Sequence, residues 1–253
     1  MPNFTGHIAG MPCWIDANVE TRDQREALIE FYSALFGWTF EVGPVESGSY
    51  STAFHKGKAV LAIGEQAGGQ GDWITYFSTD EIDQSVERVK ENGGQILIGP
   101  RQVKEFGFWT VVKDCTGAVH GLWQPASFPG FGAMFETNVP SWFDNLSEDA
   151  HAASTYYQRV LGDGIELHVA GEMRILRREG RWFASITEGD CSAIPPHWSP
   201  VFLVDSLDQF KDSVRGLGGR IIVEEMPVAG STISVFQEPV MGTFMKVMAA
   251  DSN

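Results

Sequence analysis

The stretch Asp80-Glu81-Ile82-Asp83-Gln84 returns 125 residues later as Asp205-Ser206-Leu207-Asp208-Gln209. The same spacing relates further pairs along the chain: Phe31-Tyr32 and Tyr156-Tyr157, Gly37 and Gly162, Trp73 and Trp198, Gly93-Gly94 and Gly218-Gly219, and Gly117 and Gly242. A register that is kept over such a span indicates the duplication of a whole domain rather than a short solenoid repeat. The function must therefore depend on what two similar halves build together and on where they differ.

The composition limits the class of protein. The 253 residues leave room for two domains of about 120 residues, each large enough for its own core. The net charge of −15 argues against binding to nucleic acid and to anionic membrane surfaces. The three cysteines lack metal-site or disulfide spacing, Met1–Gly6 lacks the features of a signal peptide, and no apolar run has the length of a membrane span. These features predict a cytoplasmic monomer or homodimer whose partner is a small molecule.

Each half has the pattern of a strand, a helix and further strands, and the pattern occurs twice in each half. Around Cys13–Val19, Ile15 and Ala17 alternate with Trp14, Asp16 and Asn18, which is typical of a half-buried strand. Apolar residues at helical spacing predict a helix from about 22 to 36, ending at Gly37. Further helices are expected near 82–91, 150–161 and 207–217, hairpin turns at Lys56-Gly57 and Glu179-Gly180, and strands near 73–79, 95–98, 106–112, 118–123, 142–146, 201–204, 221, 233 and 244. The sequence thus predicts an α+β fold of two domains, 8–127 and 137–250.

Two segments make the chain resemble a known family. Phe31–Trp38, with the pattern FY-x-x-x-FGW, and Asp114–Pro125, with D-x-TG-A-x-x-GLWQP, are similar to segments of the vicinal oxygen chelate superfamily. This superfamily comprises glyoxalase, bleomycin-resistance and extradiol-dioxygenase folds, and the strongest likeness is to actinobacterial tandem glyoxalase-like proteins. The resemblance covers about 11–248. It implies four βαβββ modules paired into two tandem domains, each of which curls a mixed sheet around a cleft.

The resemblance also implies where a divalent metal would bind. Metal-dependent members place His or Gln on the first strand of a module and Glu on the last strand. The corresponding positions here hold Asp16, Ile74 and Gly121 in the first half, and Asp144 or Trp142, Ser199 and Lys246 in the second half. Ile, Gly and Ser at these positions do not supply a set of metal ligands, and a lysine opposes a divalent cation. We therefore expect no metal ion and no other cofactor.

Several aromatic residues are expected on the cleft side of their strands: Trp14, Tyr76, Trp123, Trp142 and Phe244. Aromatic walls with few polar groups suit a flat organic ligand, although an interface between two sheets would have the same pattern. Asp16 and Asp144 take equivalent places on two first strands, either as polar anchors in the clefts or as structural hydrogen-bond acceptors. Lys246 is a candidate partner for Asp144, which would leave His197 as the group in that cleft that titrates near neutral pH.

The histidines differ in what their positions predict. His197 has the cleft parity of Ser199, so it is a candidate for ligand contact or acid–base chemistry, or else a loop-end residue. His120 is expected on the helix-covered face as a structural residue, and His55 and His151 are expected to face solvent or to cap helices. Asp16 is the second candidate for acid–base chemistry.

Three functions are compatible with the sequence. The first is a metal-independent protein that binds a small, partly aromatic molecule, for sequestration, resistance or a biosynthetic pathway. The second is an enzyme, a lyase, isomerase or dioxygenase-like catalyst that uses His197 or Asp16. The third is a metal enzyme of glyoxalase or extradiol type, which the ligand positions disfavour. The cleft positions that hold Gly121 and Ile74 in the first half hold Lys246 and Ser199 in the second half. We therefore expect one cleft to be more polar than the other and one cleft to bind ligand preferentially.

Overall fold

Strands dominate the fold, which we describe from a computed structural model for residues 8–65, 73–228 and 231–250. Met1–Gly6, from which the absence of a signal peptide was expected, lies outside the described residues. The first half contains β1 (Pro12–Val19), α1 (Arg22–Phe36), β2 (Thr39–Val42), a 3-10 turn (Val45–Ser47), β3 (Ser51–His55), β4 (Lys58–Glu65), β5 (Trp73–Ser78), α2 (Ile82–Glu91), β6 (Gln95–Val103), β7 (Gly107–Lys113) and β8 (Val119–Pro125). The second half contains β9 (Pro140–Ser147), α3 (Ala150–Val160), β10 (Glu166–Ala170), β11 (Met173–Arg178), β12 (Arg181–Glu188), β13 (His197–Val204), α4 (Leu207–Gly216), β14 (Arg220–Val228), β15 (Ser231–Gln237) and β16 (Phe244–Ala249).

The strands form two eight-stranded mixed sheets of identical topology. The N-terminal sheet has the order β2-β3-β4-β1-β5-β8-β7-β6, and the C-terminal sheet has the order β10-β11-β12-β9-β13-β16-β15-β14. In each sheet the first strands of two βαβββ modules pair antiparallel at the centre, β1 with β5 and β9 with β13. The predicted α+β architecture of four modules in two tandem units is confirmed. The boundaries 8–127 and 137–250 stay a prediction.

The first helix shows how local sequence sets the elements. Thr21 caps α1, since its hydroxyl accepts a hydrogen bond from the backbone N–H of Gln24 at 3.3 Å and the Gln24 side chain accepts from the N–H of Thr21 at 3.2 Å. Gly37 ends the helix with φ of 70°, a left-handed conformation in which glycine has no steric cost. The helix buries Leu28 and Tyr32 against the sheet.

The helix-covered faces of the two sheets pack against each other. α1 contacts α4, α2 contacts α3, and β5 contacts β13 between these helix pairs. The ring of Phe36 lies 5.0 Å from that of Phe202, and the ring of Phe77 lies 5.0 Å from that of Trp198. The two halves therefore share one hydrophobic core, and the opposite face of each sheet is left for a cleft. No helix in the described part of the chain is long and apolar enough to cross a membrane.

Some element boundaries differ from the sequence-based expectation. β13 begins at His197, so this residue lies inside the strand rather than before it. β6 continues to Val103 instead of ending near Ile98, because two register shifts let it follow β7 along its whole length. The turn positions at Lys56-Gly57 and Glu179-Gly180 are confirmed, and all four residues have positive φ.

Candidate ligand-binding cavity

The uncovered face of the N-terminal sheet holds a cavity of about 440 Å³. Half of its lining residues are aromatic: Trp14, Tyr50, Tyr76, Phe106, Trp109, Trp123 and Phe128. The remaining lining residues are Asp16, Asn18, Thr52, Ile74, Ile98, Val103 and Val111. The volume lies within the range of sites for drug-sized molecules, and an apolar wall with a few polar groups is the usual composition of such sites.

Strand pairing places the central residues of the cavity. Alternation along β1 sends Trp14, Asp16 and Asn18 to the cavity, while Ile15 and Ala17 are fully buried on the helix side. Across the β1–β5 pair, Trp14 lies opposite Tyr76 and Asp16 lies opposite Ile74. The structure thus brings together four residues that the sequence suggested, Trp14, Asp16, Tyr76 and Trp123, although their role in binding stays a prediction.

A hydrogen-bond chain runs from an indole to the one carboxyl group of the cavity wall. Trp14 Nε1 donates to the Tyr50 hydroxyl at 2.7 Å, and that hydroxyl donates to Asp16 Oδ2 at 3.0 Å. The other carboxyl oxygen, Oδ1, is buried and has no hydrogen-bond partner of standard geometry among the described residues. Burial raises the pKa of Asp16 to about 7, although hydrogen bonding with Tyr50 and Tyr76 acts in the opposite direction.

The space that a family metal ligand would need is filled by an aromatic ring. A Cβ atom added to Gly121 would lie 2.0 Å from the ring of Tyr76, so glycine is required for this ring position. With Ile74 beside Asp16, the described residues at the family's ligand positions of this sheet offer one carboxylate as a metal ligand. Among the described residues, no group of three or more His, Cys, Asp or Glu side chains is placed to hold a metal ion. These residues do not fit a divalent metal site of the family type.

The outer wall comes from the segment that connects the two sheets. Phe128 packs edge-on against Trp14 with ring centroids 4.9 Å apart, and its carbonyl oxygen accepts a hydrogen bond from Trp123 Nε1 at 2.9 Å. Phe131, three residues further, is fixed by a 2.7 Å hydrogen bond from its N–H to the Cys13 carbonyl oxygen. The connecting segment is therefore attached to β1 and closes one side of the cavity.

The C-terminal sheet carries a polar cluster at the equivalent place. Lys246 Nζ lies 3.3 Å from Asp144 Oδ2, as the sequence suggested for this pair. Asp144 Oδ1 accepts hydrogen bonds from Trp142 Nε1 at 3.0 Å and from the Ser185 hydroxyl. Asp144 is therefore paired with a cation, whereas Asp16 has none among the residues that line its cavity. The two clefts thus differ in charge, as expected from Lys246 in one and Gly121 in the other.

Two further candidates of this sheet lie at its surface or edge. His197 pairs with Leu146 across the β13–β9 ladder, two residues before Ser199, which pairs with Asp144. Its Nδ1 lies 2.8 Å from the Pro195 carbonyl oxygen. Phe244 keeps 37% of its surface exposed. Their predicted contact with a ligand is untested.

The other histidines confirm one expectation and correct another. His120 is fully buried on the helix side, 3.2 Å from the Tyr156 hydroxyl, and burial lowers its pKa to about 4. His55 was expected to face solvent or cap a helix, which is wrong, because only 7% of its surface is exposed. It continues the inward alternation of Ser51 and Ala53 along β3, and burial lowers its pKa.

The sequence analysis missed four of the seven aromatic residues of the wall: Tyr50, Phe106, Trp109 and Phe128. Trp109 was detectable, since β7 and β8 form a hairpin in which Trp109 pairs with Trp123. Tyr50 precedes β3 and Phe128 follows β8, and neither position has a periodicity that assigns it to a face. Asn18 and Thr52 add the other polar atoms of the wall.

The chain is similar to known proteins over nearly its whole length. The model of the Glyoxalase/Bleomycin resistance protein/Dioxygenase superfamily matches residues 19–119. The chain is 30% identical over 251 residues to "Putative glyoxylase CFP32" of Mycobacterium tuberculosis (strain CDC 1551 / Oshkosh), which covers 94% of this chain and 95% of that protein. It is 27% identical over 249 residues to anthracycline biosynthesis protein DauV of Streptomyces sp. (strain C5), covering 89% and 87% of the two chains.

Solved structures share the fold at low sequence identity. The Mn(II)-bound glyoxalase from Novosphingobium aromaticivorans superposes with a TM-score of 0.67 at 14% identity, covering 97% of this chain and 83% of that chain. The 2,3-dioxygenase LapB from Pseudomonas sp. KL28 gives a TM-score of 0.65 at 12% identity, covering 97% and 93%. At such identities the likeness concerns the fold, and the site must be judged from this chain's own residues.

Proposed function

Since the chain belongs to the Glyoxalase/Bleomycin resistance protein/Dioxygenase superfamily, we propose that it binds a small, flat aromatic molecule in the cavity of the N-terminal sheet without a divalent metal ion. The observation that carries this proposal is the cavity itself, with about 440 Å³ of space, seven aromatic side chains and one buried carboxyl group. Aromatic rings stack on flat ligands and contribute a large apolar contact area, while a single polar group fixes the orientation.

The size and shape of the ligand follow from the walls. Trp109 and Trp123 pair side by side on β7 and β8, and Trp14 and Tyr76 pair on β1 and β5, so rings from two strand pairs line the sheet floor. The relatives DauV and DnrV are named for anthracycline biosynthesis, and anthracyclines contain fused planar rings. A fused-ring molecule of two to four rings is the class that we propose for this cavity.

A second candidate is catalysis in the same cavity. Burial raises the pKa of Asp16 to about 7, which is the range in which a carboxyl group both accepts and donates protons at neutral pH. An enzyme using Asp16 would lose about 10²–10⁴-fold in turnover on Asp16→Asn with binding nearly intact. A binding protein would turn over no ligand with either form.

The test uses 1,4-dihydroxyanthraquinone as the probe and tryptophan emission as the signal, because Trp14, Trp109 and Trp123 line the cavity. We expect quenching that saturates, with calorimetry giving one site per chain. Trp109→Ala removes an aromatic wall and should weaken binding about tenfold. The control Trp182→Ala changes a tryptophan of the C-terminal sheet that is 42% exposed, and it should leave the affinity unchanged.

Two results would contradict the proposal. One is the absence of saturable quenching by this probe, together with no aromatic molecule co-purifying by mass spectrometry. The other is equal weakening by Trp109→Ala and Trp182→Ala, which would place binding outside the cavity.

A further inference from the structure

Resting on the proposed function, we infer that the natural ligand is a cation, an aromatic molecule with a protonated amine or a quaternary ammonium group held against Asp16. Three features of the cavity favour a positive charge on the ligand. One oxygen of Asp16 has no hydrogen bond of standard geometry, the described wall contains no basic side chain, and half of the lining residues are aromatic.

The described wall of the cavity carries a negative charge and no positive charge. Asp16 is the acidic side chain of the lining, and no Lys, Arg or His occurs among the lining residues that the structure describes. Asp16 is 7% exposed, and its Oδ1 has no hydrogen-bond partner of standard geometry among the described residues. A buried carboxylate that is hydrogen-bonded but not paired with a positive charge is costly, and a ligand cation would supply that charge. An anionic ligand would add repulsion.

The other carboxyl oxygen of Asp16, Oδ2, is held by a hydrogen bond. Tyr50 donates to Oδ2 at 3.0 Å, and Trp14 Nε1 donates to the Tyr50 oxygen at 2.7 Å. Two consecutive donors that point toward a carboxylate stabilise its charged form and fix its orientation. Oδ1 is then left for a donor from the ligand. The equivalent Asp144 has no such vacancy, because Lys246, Trp142 and Ser185 already surround it.

The aromatic rings favour the same charge. Ring faces carry a negative quadrupole and attract ammonium groups within about 6 Å of the centroid, each contact contributing about 0.5–2 kcal/mol. Half of the lining residues are aromatic, so a cation beside Asp16 would lie in a cavity rich in ring surfaces. The net charge of −15 also raises the local concentration of cations around the protein.

The test compares three probes that share one ring system: 1-naphthylmethylamine, a cation, 1-naphthalenemethanol, a neutral donor, and 1-naphthoate, an anion. Affinities for the whole protein are measured by tryptophan quenching at about pH 8, where the carboxylate form of Asp16 dominates. We expect the amine to bind at least about tenfold more tightly than the alcohol, and naphthoate to bind most weakly. Asp16→Asn should remove the preference for the amine and change the affinity for the alcohol less than about threefold. Asp163→Asn, an exposed carboxylate of the second half, is the matched control and should preserve the preference.

A pH series on the wild-type protein tests the inference without any variant. Below pH about 7, protonation of Asp16 should weaken binding of the amine, while binding of the alcohol stays constant or strengthens. The phenols of Tyr50 and Tyr76 are the other titratable groups that face Asp16, and burial holds the pKa of both well above 10. On the neighbouring strands Asp16 pairs with Ala62 and Ile74, neither of which titrates.

The outcomes separate the two levels of the proposal. Equal affinities for the amine and the alcohol, or a preference that survives Asp16→Asn, would overturn the cation inference and leave the aromatic-binding function standing. If none of the three naphthalenes and no dihydroxyanthraquinone binds, the proposed function fails as well. An amine affinity that does not fall between about pH 8 and about pH 5.5 would also overturn the inference.

Discussion

The Tyr157 hydroxyl donates a 2.7 Å hydrogen bond to Asp114 Oδ2, so a helix of the second half is held by a turn of the first half. Asp114 is prepared for this contact because its Oδ1 accepts backbone N–H bonds from Thr116, Gly117 and Ala118. Trp198 Nε1 in turn donates to the Tyr157 oxygen at 2.7 Å. Asp114 is the first residue of one segment on which the family resemblance rests, and Tyr157 is the counterpart, 125 residues later, of Tyr32 in the other segment. The contact between Asp114 and Tyr157 therefore joins the two halves.

The duplicated tyrosines give a matched test of this contact. Tyr157→Phe removes a buried, charge-assisted hydrogen bond and should lower the free energy of unfolding by about 1.5–3 kcal/mol. Tyr32, its counterpart 125 residues earlier, has a buried hydroxyl with no hydrogen-bond partner of standard geometry among the described residues. Tyr32→Phe should therefore cost less than about 1 kcal/mol, since the lost group makes no such bond. Urea unfolding measures both, and equal losses would contradict the assignment.

The raised pKa of Asp16 makes stability depend on pH in a defined direction. Burial raises this pKa from 3.8 to about 7, so the folded protein holds the Asp16 proton at pH values where the unfolded chain has released it. Raising the pH from about 4 to about 7 therefore favours unfolding through this group, and the penalty is complete above pH 7. Asp16→Asn lacks the penalty, so its stability relative to wild type should rise over this range by at most about 4 kcal/mol. Urea unfolding at about pH 5 and about pH 8 checks this, with Asp163→Asn as control. A constant difference between the two pH values would refute the raised pKa.

Gly121 and Tyr76 should be energetically coupled. Gly121→Ala brings a methyl group into the Tyr76 ring, and overpacking of this kind costs about 1–3 kcal/mol. In a Tyr76→Ala background the same change should cost less than about 0.5 kcal/mol, because the ring is gone. A double-mutant cycle in urea gives the coupling. If Gly121→Ala costs the same in both backgrounds, the ring does not require the glycine.

The purified protein should carry little transition metal. Ile74, Gly121, Ser199 and Lys246 stand where the family places metal ligands, and they cannot complete a coordination shell. We expect less than about one tenth of an equivalent of Zn, Ni, Fe or Mn by elemental analysis after dialysis. Near-stoichiometric metal that survives dialysis would revive the metal-enzyme hypothesis.

Periodicity and repetition predicted the α+β class and four repeated units, and the family resemblance implied that these units pair into two tandem domains. The alternation along Cys13–Val19 correctly assigned Trp14 and Asp16 to one face of β1, and the repeat of the Asp80–Gln84 stretch identified the two equivalent sheets. The pairing of Asp144 with Lys246 was expected from the ligand positions that the family resemblance implies, and the two side chains lie 3.3 Å apart. The assignment of Trp14 and Asp16 to one face needs only local spacing.

The features of the site that the sequence did not predict depend on contacts between strands and segments. One cleft was expected to bind ligand preferentially, but the sequence did not indicate which one. The aromatic cavity lies on the N-terminal sheet, and Tyr50 and Phe128 of its wall lie outside the strands whose alternation could be read. The burial of His55 depends on which side of the β3–β4 hairpin meets the core, and that depends on register rather than on composition. Phe128 belongs to a connection whose path is set by contacts with β1 and cannot be read from spacing.

The position of Phe128 has a consequence for how this gene can be divided. A fragment cut at residue 119, where the match to the family model ends, would lose β8 as well as Phe128. β8 ends at Pro125, so a fragment cut there would retain the strands β1–β8 but lose Phe128. Trp14 and Trp123 would then be left exposed on that side, and Phe131, which packs against both Trp14 and Phe143, would no longer tie the segment to the second half. A half-length fragment would therefore offer an open trough instead of a walled site, because this part of the wall comes from the residues that connect the two halves.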